Sequence, residues 1–256
     1  MEKKYGMIRE SISPVSEVVR LACERGNIPD HLDNLLRRQK DPNSTVYPSY
    51  SIELTALQYA ITLKSLPVVR LLIEDFGADA SSQALYGTDR TPLQAAVEIG
   101  DEIMVQYLID RGATVKDQPA HKNGATALQL AAIQDLAVIA VMLLEKGADV
   151  NADPALINGR TAFEGATKHG HIDMMRFLVQ NGADLVANDQ QQHRRAVNYA
   201  EKSGQYAAIE FANSLLQECL RGEHGIPASF GVGSTPLFGF EEGSSMQGSS
   251  QGAFDL

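Results

Sequence analysis

The sequence predicts an all-α solenoid of stacked helix-turn-helix units with short β-hairpin fingers. One phrase begins at Thr55 and recurs at Thr91, Thr126 and Thr161, at intervals of 36, 35 and 35 residues. In each copy a Gly-Ala pair follows about 21 residues after the threonine. Such a period is typical of helical repeat arrays rather than of a globular enzyme core, so function is expected on a surface.

Each recurring threonine is predicted to begin a short first helix, because a Gln or Glu follows three residues later. The pairs are Thr55/Gln58, Thr91/Gln94, Thr126/Gln129 and Thr161/Glu164. This is the pattern of a capping box, in which each side chain bonds to the other residue's backbone N–H. Small residues such as Ala95, Ala131 and Gly165 follow, and they predict a close approach between neighbouring first helices.

A second helix is predicted in each unit. Gly100 and Gly170 interrupt the helical pattern, and apolar residues at helical spacing resume after them. The second helices are expected to end at Gly77, Gly112, Gly147 and Gly182. The dipeptides Asn123-Gly124 and Asn158-Gly159 then favour tight turns, which predicts a β-finger between repeats.

The order of these signals resembles the ankyrin repeat, whose familiar phrase is TPLHxAAxxG…GADVNA. The closest local matches are Thr91-Pro-Leu-Gln-Ala-Ala and Gly147-Ala-Asp-Val-Asn-Ala, and the resemblance runs over roughly residues 51 to 216. The tract from Thr161 to His171 is similar to ankyrin arrays of many fungal signalling and regulatory proteins. The interval from each Gly to the next Thr is 14 residues, which is longer than the family's and predicts enlarged fingers.

These signals divide the chain into about five to six repeats, degenerate caps included. The predicted segments are a lead-in at 1–14, a degenerate N-terminal capping repeat with an irregular finger at 15–50, four repeats at 51–87, 88–122, 123–157 and 158–192, a C-terminal capping repeat at 193–221, and a Gly/Ser-rich flexible tail at 222–256. Cys23 occupies a small-residue position of the first cap, so we expect a buried filler.

The composition disfavours two classes of ligand. With 22 Lys and Arg against 32 Asp and Glu, the formal charge of −10 opposes direct binding to nucleic acid or to an anionic membrane surface. The two cysteines, Cys23 and Cys219, are expected to lie too far apart for a disulfide, which favours a reducing compartment. No apolar run is long enough to span a bilayer. We expect a soluble monomer in the cytoplasm, the nucleus or both.

No catalytic, cofactor-binding or metal-binding residues are predicted. The sequence lacks the phosphate-binding GxxxxGK[ST] loop and the HExxH zinc motif. His169, His171 and His193 are the nearest approach to a metal-ligand set, but no cysteine or clustered carboxylate completes it. An enzyme on this fold would have to assemble its catalytic groups on the fingers.

The resemblance implies where a protein partner would bind, because ankyrin repeats commonly use their finger tips and the exposed sides of their first helices. Counted from each threonine, the matching positions are Arg90, Glu98, Ile99, Ile133, Gln134, Arg160, Lys168, His169, Arg194 and Lys202. They are mainly acidic or apolar in the second and third repeats and basic from Arg160 onward. The hypothesis is a groove for an acidic peptide or helix; the alternative is that the basic residues merely solubilise this face.

The tail contains four of the eight phenylalanines: Phe230, Phe238, Phe240 and Phe254. The motif Phe238, Phe240, Glu241 and Glu242 combines bulky apolar groups with carboxylates, which suits a short docking motif or a segment that folds back into the basic groove. An inert tail is the alternative.

Three functions remain open from the sequence. The favoured one is a non-catalytic protein-interaction module acting as a scaffold, adaptor or inhibitor. A nuclear, transcription-associated regulator that recruits factors through its tail is the alternative, and a pathway-specific enzyme is less favoured. The repeat residues specify stacking, whereas only the variable face specifies the partner.

Overall fold

The computed structural model describes residues 19, 22, 45–48, 53–83, 90–116, 118–119 and 124–222 of the 256-residue chain. Two strands and ten helices lie in these ranges: β1 Thr45–Pro48, β2 Glu53–Thr55, α1 Ala56–Thr62, α2 Leu66–Glu74, α3 Pro92–Glu98, α4 Glu102–Asp110, α5 Ala127–Ile133, α6 Ala137–Glu145, α7 Ala162–His169, α8 Ile172–Gln180, α9 Ala187–Lys202 and α10 Tyr206–Leu220. Helices α1, α3, α5 and α7 are the first helices of the four predicted repeats, and α2, α4, α6 and α8 are their second helices. The predicted all-α solenoid is confirmed.

The four predicted capping boxes all form. At Thr126, the hydroxyl oxygen accepts from the backbone N–H of Gln129 at 3.2 Å, and the N–H of Thr126 donates to the Gln129 side-chain oxygen at 3.0 Å. Each threonine has an extended backbone conformation, as an N-cap requires. A local interaction, readable from two side chains, therefore fixes the start of every first helix.

The first helices stack directly on one another, and their inner side chains form a continuous core. Leu57, Leu93, Leu128 and Phe163, each two residues after a capping threonine, are fully buried. Close stacking explains Gly165, because a Cβ atom there would lie 2.6 Å from Cγ1 of Ile133 on the preceding first helix. The predicted need for small residues on this side is confirmed at Gly165.

The turns between first and second helices use a left-handed residue. Gly100 and Gly170 supply it as predicted, with φ of 69° and 79°. Lys64 and Asp135 adopt the same conformation at the equivalent positions, with φ of 56° and 59°. Glycine is therefore favourable at this turn but not required, which is why the sequence pattern is weaker there.

The fingers differ from the prediction. Within the described ranges, β1 and β2 form the single antiparallel ladder, and the expected hairpin at Asn158-Gly159 lacks paired strands. At the start of this finger, a side chain bonds to the next repeat. The Asn151 side chain donates to the Gly182 carbonyl at 2.8 Å and accepts from the Asp184 N–H at 2.9 Å.

The last described repeat departs from the regular unit. Helix α9 contains a left-handed turn at Asn188, Asp189 and Gln190, with φ of 50°, 56° and 59°, where a further finger would otherwise stand. The second helix α10 has 15 residues instead of the 9 of α8, and Arg176 of α8 lies over the Phe211 ring at 4.7 Å. The chain thus changes geometry where the predicted C-terminal capping repeat begins.

Several predictions fall on residues that the structure does not describe. They are Cys23, most of the N-terminal capping repeat and the tail from 223 onward, including Phe238, Phe240, Glu241 and Glu242. Val19 and Ala22 of the N-terminal repeat are described, and both are buried. None of the described helices is long and apolar enough to cross a membrane.

Candidate functional site

A line of buried amide side chains positions the finger ends. Gln58 donates from its amide nitrogen to the Arg90 carbonyl at 2.6 Å, and Gln129 donates to the carbonyls of Ala152 and Asp153 at 3.0 and 3.1 Å. Each amide also completes its own capping box, so one residue joins a helix start to the next finger. The amides thus hold the end of one finger, at Arg90, and the start of another, at Ala152 and Asp153.

An open cleft of about 660 Å³ lies between the finger ends and the C-terminal ends of first helices α3 and α5. Its lining residues are Arg90, Glu98, Gly124, Ala125, Leu130, Ile133, Gln134, Asn158 and Arg160. Five of the ten residues predicted to bind a partner therefore meet at one cleft. They come from three successive repeats, as recognition by a stacked array requires.

The two arginines of the cleft differ in their partners. Arg90 forms an ion pair with Glu98 on the same wall, with a shortest distance of 3.2 Å. Arg160 forms no ion pair among the described residues; instead its guanidinium carbon lies 4.9 Å from the ring centroid of Tyr199. The Nε atom of Arg160 is buried and has no hydrogen-bond partner within that part of the chain.

The predicted basic row continues along α7. Lys168 is half-buried and His169 is exposed at the end of this helix. The His169 ring stacks on His171 with centroids 5.8 Å apart, and Nε2 of His171 lies 3.0 Å from the Ile133 carbonyl oxygen. Burial lowers the pKa of His169, and the neighbouring Lys168, His171 and Arg160 charges lower it further. Among the described residues, no group of His, Cys, Asp and Glu side chains could hold a metal ion.

The remaining predicted residues lie apart from the cleft lining. Arg194 is exposed and pairs with Asp189 at 2.9 Å, and Lys202 is exposed at the end of α9. Ile99 is only half-buried and packs against the core. Arg195, which extends the basic run of the sequence, instead bonds the buried Glu164 at 2.9 Å.

The comparisons with known proteins agree with this geometry. The sequence model of the family described as "Ankyrin repeats (3 copies)" matches residues 19–119, 76–154 and 116–189, which together span more than half of the chain. The chain belongs to the ankyrin-repeat family. Ankyrin repeats are general protein–protein interaction modules. The predicted family membership is confirmed.

A solved ankyrin structure supports the fold independently. The human ASB11 ankyrin repeat domain is 18% identical, with a TM-score of 0.59, over 79% of this chain and 83% of that chain. At this identity the likeness concerns the fold alone. A comparison with curated protein sequences finds no significant match.

Sequence reasoning missed three exposed apolar residues of this ankyrin array. Leu63 is exposed. It stands eight residues after Thr55, just as Ile99 stands eight residues after Thr91. Leu156 and Ile157 are 80% and 44% exposed in the finger that leads to Arg160. Their signal was available, since two bulky apolar residues directly before Asn158-Gly159 are unusual for a solvated turn.

Proposed function

We propose that this ankyrin-repeat chain is a non-catalytic interaction module that holds an acidic peptide or helix of a protein partner. The observation that carries the proposal is the cleft, whose wall includes Arg160, a residue without an ion-pair partner among the described residues. Lys168 and Lys202 extend its positive charge toward α9, and the His169 imidazole lies beside Lys168. The partner would lie along the concave face and touch the finger ends.

The positive charge around the cleft contrasts with the negative charge of the whole chain, and this contrast supports an acidic ligand. The whole chain carries a formal charge of −10, so an acidic segment is repelled from most of the surface. A local cationic surface then gives both orientation and faster association, because complementary potentials steer an encounter. The same charge opposes direct nucleic-acid binding.

The protein acts in this proposal as a monomeric scaffold, adaptor or inhibitor in the cytoplasm, the nucleus or both. The nuclear alternative depends on the tail motif Phe238, Phe240, Glu241 and Glu242, which lies outside the described residues. The groove is therefore the better supported site of partner binding.

Selection from a library of short random peptides, displayed on phage and panned against the full chain, tests the proposal. We expect enrichment of Asp and Glu, and we expect the double variant Lys168→Glu/Lys202→Glu to weaken binding of the selected peptides by about tenfold or more. Lys146→Glu, at the exposed end of second helix α6, is the matched control and should bind normally. Equal binding by all three proteins would refute the groove as the binding surface.

A further inference from the structure

Counted along the sequence, three arginines stand immediately before a capping threonine or its counterpart: Arg90, Arg160 and Arg194, of which Arg194 lies within helix α9. Arg90 is neutralised by Glu98 at 3.2 Å, and Arg194 by Asp189 at 2.9 Å. Arg160 has no carboxylate within ion-pair distance in the described ranges. Two of the three arginines thus have a carboxylate partner, and the third, Arg160, lines the cleft without one. This difference indicates a place for an external carboxylate.

Tyr199 holds the Arg160 guanidinium in a defined orientation. The ring belongs to α9 of the following repeat, and the guanidinium carbon stands 4.9 Å from its centroid. Stacking on an aromatic ring restrains the arginine side chain before binding. Less rotamer freedom then remains to be lost when a ligand binds. Because Nε is buried, a ligand carboxylate would have to meet the terminal nitrogens. The arrangement is thus organised before a ligand arrives.

Two exposed apolar residues, Leu156 and Ile157, stand four and three residues before this cation in the same finger and are called the Leu156-Ile157 step. Leu156 and Ile157 are exposed next to Asn158, which itself lines the cleft. The backbone on either side of these two residues is closely packed, because a Cβ atom at Gly159 would lie 2.2 Å from the Ala155 nitrogen and 2.3 Å from its oxygen. The preceding fingers carry Tyr86-Gly87 and His121-Lys122 at the equivalent sequence positions. A Leu-Ile pair is therefore particular to the finger beside Arg160.

We infer that Arg160, Leu156 and Ile157 form a two-part receptor for a partner segment in which an Asp or Glu stands close to a bulky apolar residue. The carboxylate binds the Arg160 guanidinium, and the apolar side chain covers the Leu156-Ile157 step. Tyr199 is a positioning residue that acts through Arg160. This inference rests on the proposed function and assigns the specificity of the same groove.

The charge and shape of the site favour this ligand over two others. A free carboxylate alone would leave Leu156 and Ile157 exposed, and a purely apolar segment would bury Arg160 without an ion-pair partner, which is costly. A segment with both groups satisfies both halves of the receptor. Phe240, Glu241 and Glu242 of this chain have the same chemistry, so the tail is a competing occupant that the test must separate.

The test uses peptides selected on the full chain by phage panning, with affinities measured by fluorescence anisotropy. We expect selected sequences to place Asp or Glu within about four residues of Leu, Ile, Phe or Met, one helical turn apart. Affinity should fall about tenfold or more in Arg160→Lys, which keeps the charge but loses the planar fork, and in Leu156→Ser/Ile157→Ser. Ile103→Ser is the matched control, since Ile103 is 69% exposed on second helix α4.

Tyr199 is tested by two variants. Tyr199→Phe keeps the ring face and should bind normally, whereas Tyr199→Leu should weaken binding even where the melting temperature is unchanged. If selected peptides depend on Lys168 and Lys202 but not on Arg160, Leu156 or Ile157, this inference is overturned while the proposed function stands. If binding appears only after deletion of residues 223–256, the tail is the occupant and the assignment to a partner is overturned.

Discussion

The Nε atom of Arg195 lies 2.9 Å from a carboxylate oxygen of Glu164, a side chain that is only 1% exposed. Gln58 and Gln129, at the position of Glu164 in their repeats, donate to carbonyls of the finger that leads to the next capping threonine. Glu164 has no N–H to donate, so its repeat reverses the direction of the bond, and Arg195 supplies the donor. Where this repeat has Glu164 in place of the Gln of the other repeats, the next repeat supplies the charged partner Arg195.

Arg195→Ala should lower the free energy of unfolding at pH 7 by about 2 kcal/mol. Removing one member of a buried pair typically costs about 3–5 kcal/mol, and Arg195 is 38% exposed, which reduces the effect. Adding Glu164→Gln should restore part of the loss because no buried charge remains. Chemical denaturation of the single and double variants measures this coupling; additive losses would contradict it.

The same variant should show a defined pH dependence. Burial raises the pKa of Glu164, while Arg195, the Thr161 backbone N–H and Arg160 oppose the shift. A raised carboxyl pKa in the fold means that stability is full below the unfolded pKa of about 4.3 and is lost as pH rises through the folded pKa. Without Arg195 the loss grows, so the deficit of Arg195→Ala against wild type should shrink between pH 7 and pH 4. A constant deficit would exclude a buried carboxylate as its cause.

Gln129→Leu should destabilise the array more than Gln94→Leu, by about 1–2 kcal/mol. Both substitutions remove a capping-box bond, but only Gln129 also donates to two finger carbonyls. The Gln94 amide nitrogen has no acceptor among the described residues. Thermal unfolding of the two variants gives the comparison, and equal losses would show that the bonds to Ala152 and Asp153 contribute nothing.

Gly165→Ala should cost about 1–3 kcal/mol through overpacking, because the added methyl meets Cγ1 of Ile133 at 2.6 Å. Ile133→Ala removes that atom, so the double variant should be more stable than the sum of the two single losses predicts. Denaturant unfolding of all four proteins completes the cycle. Absence of any compensation would indicate that the first helices separate instead of clashing at this point.

His193 should make the array less stable in mild acid. Burial lowers the pKa of this imidazole, and Asn213 partly opposes the shift. The unfolded chain then binds the proton more readily than the fold, so stability is present above pH 6.5 and is lost as pH falls through that value. We expect His193→Leu to flatten the decline in melting temperature between pH 7 and pH 5. An unchanged slope would assign the decline to other groups.

The fold was predictable from the sequence because its signals are local. A capping threonine and its Gln or Glu are three residues apart, so their interaction needs no knowledge of the rest of the chain. The pairing of Arg195 with Glu164 was not predictable, since it depends on the left-handed turn at Asn188–Gln190, where no glycine marks the change.

The candidate site was predictable in position and less so in chemistry. The repeat period placed five residues at one cleft, because residues in equivalent positions stack side by side in a solenoid. It did not indicate that Arg90 pairs with Glu98 whereas Arg160 lies on Tyr199. Those choices depend on side-chain contacts between repeats, and the partner-binding role of all ten residues stays a prediction.

Amide hydrogen exchange of the full chain, with and without the tightest selected peptide, tests the central claim most directly. If the groove binds an acidic, partly apolar segment, protection should rise in the finger at 153–160, at the end of α7 and near Lys202. The second helices α4 and α6, on the opposite face, should be unchanged. Protection confined to those second helices, with none in the finger or α7, would contradict the account.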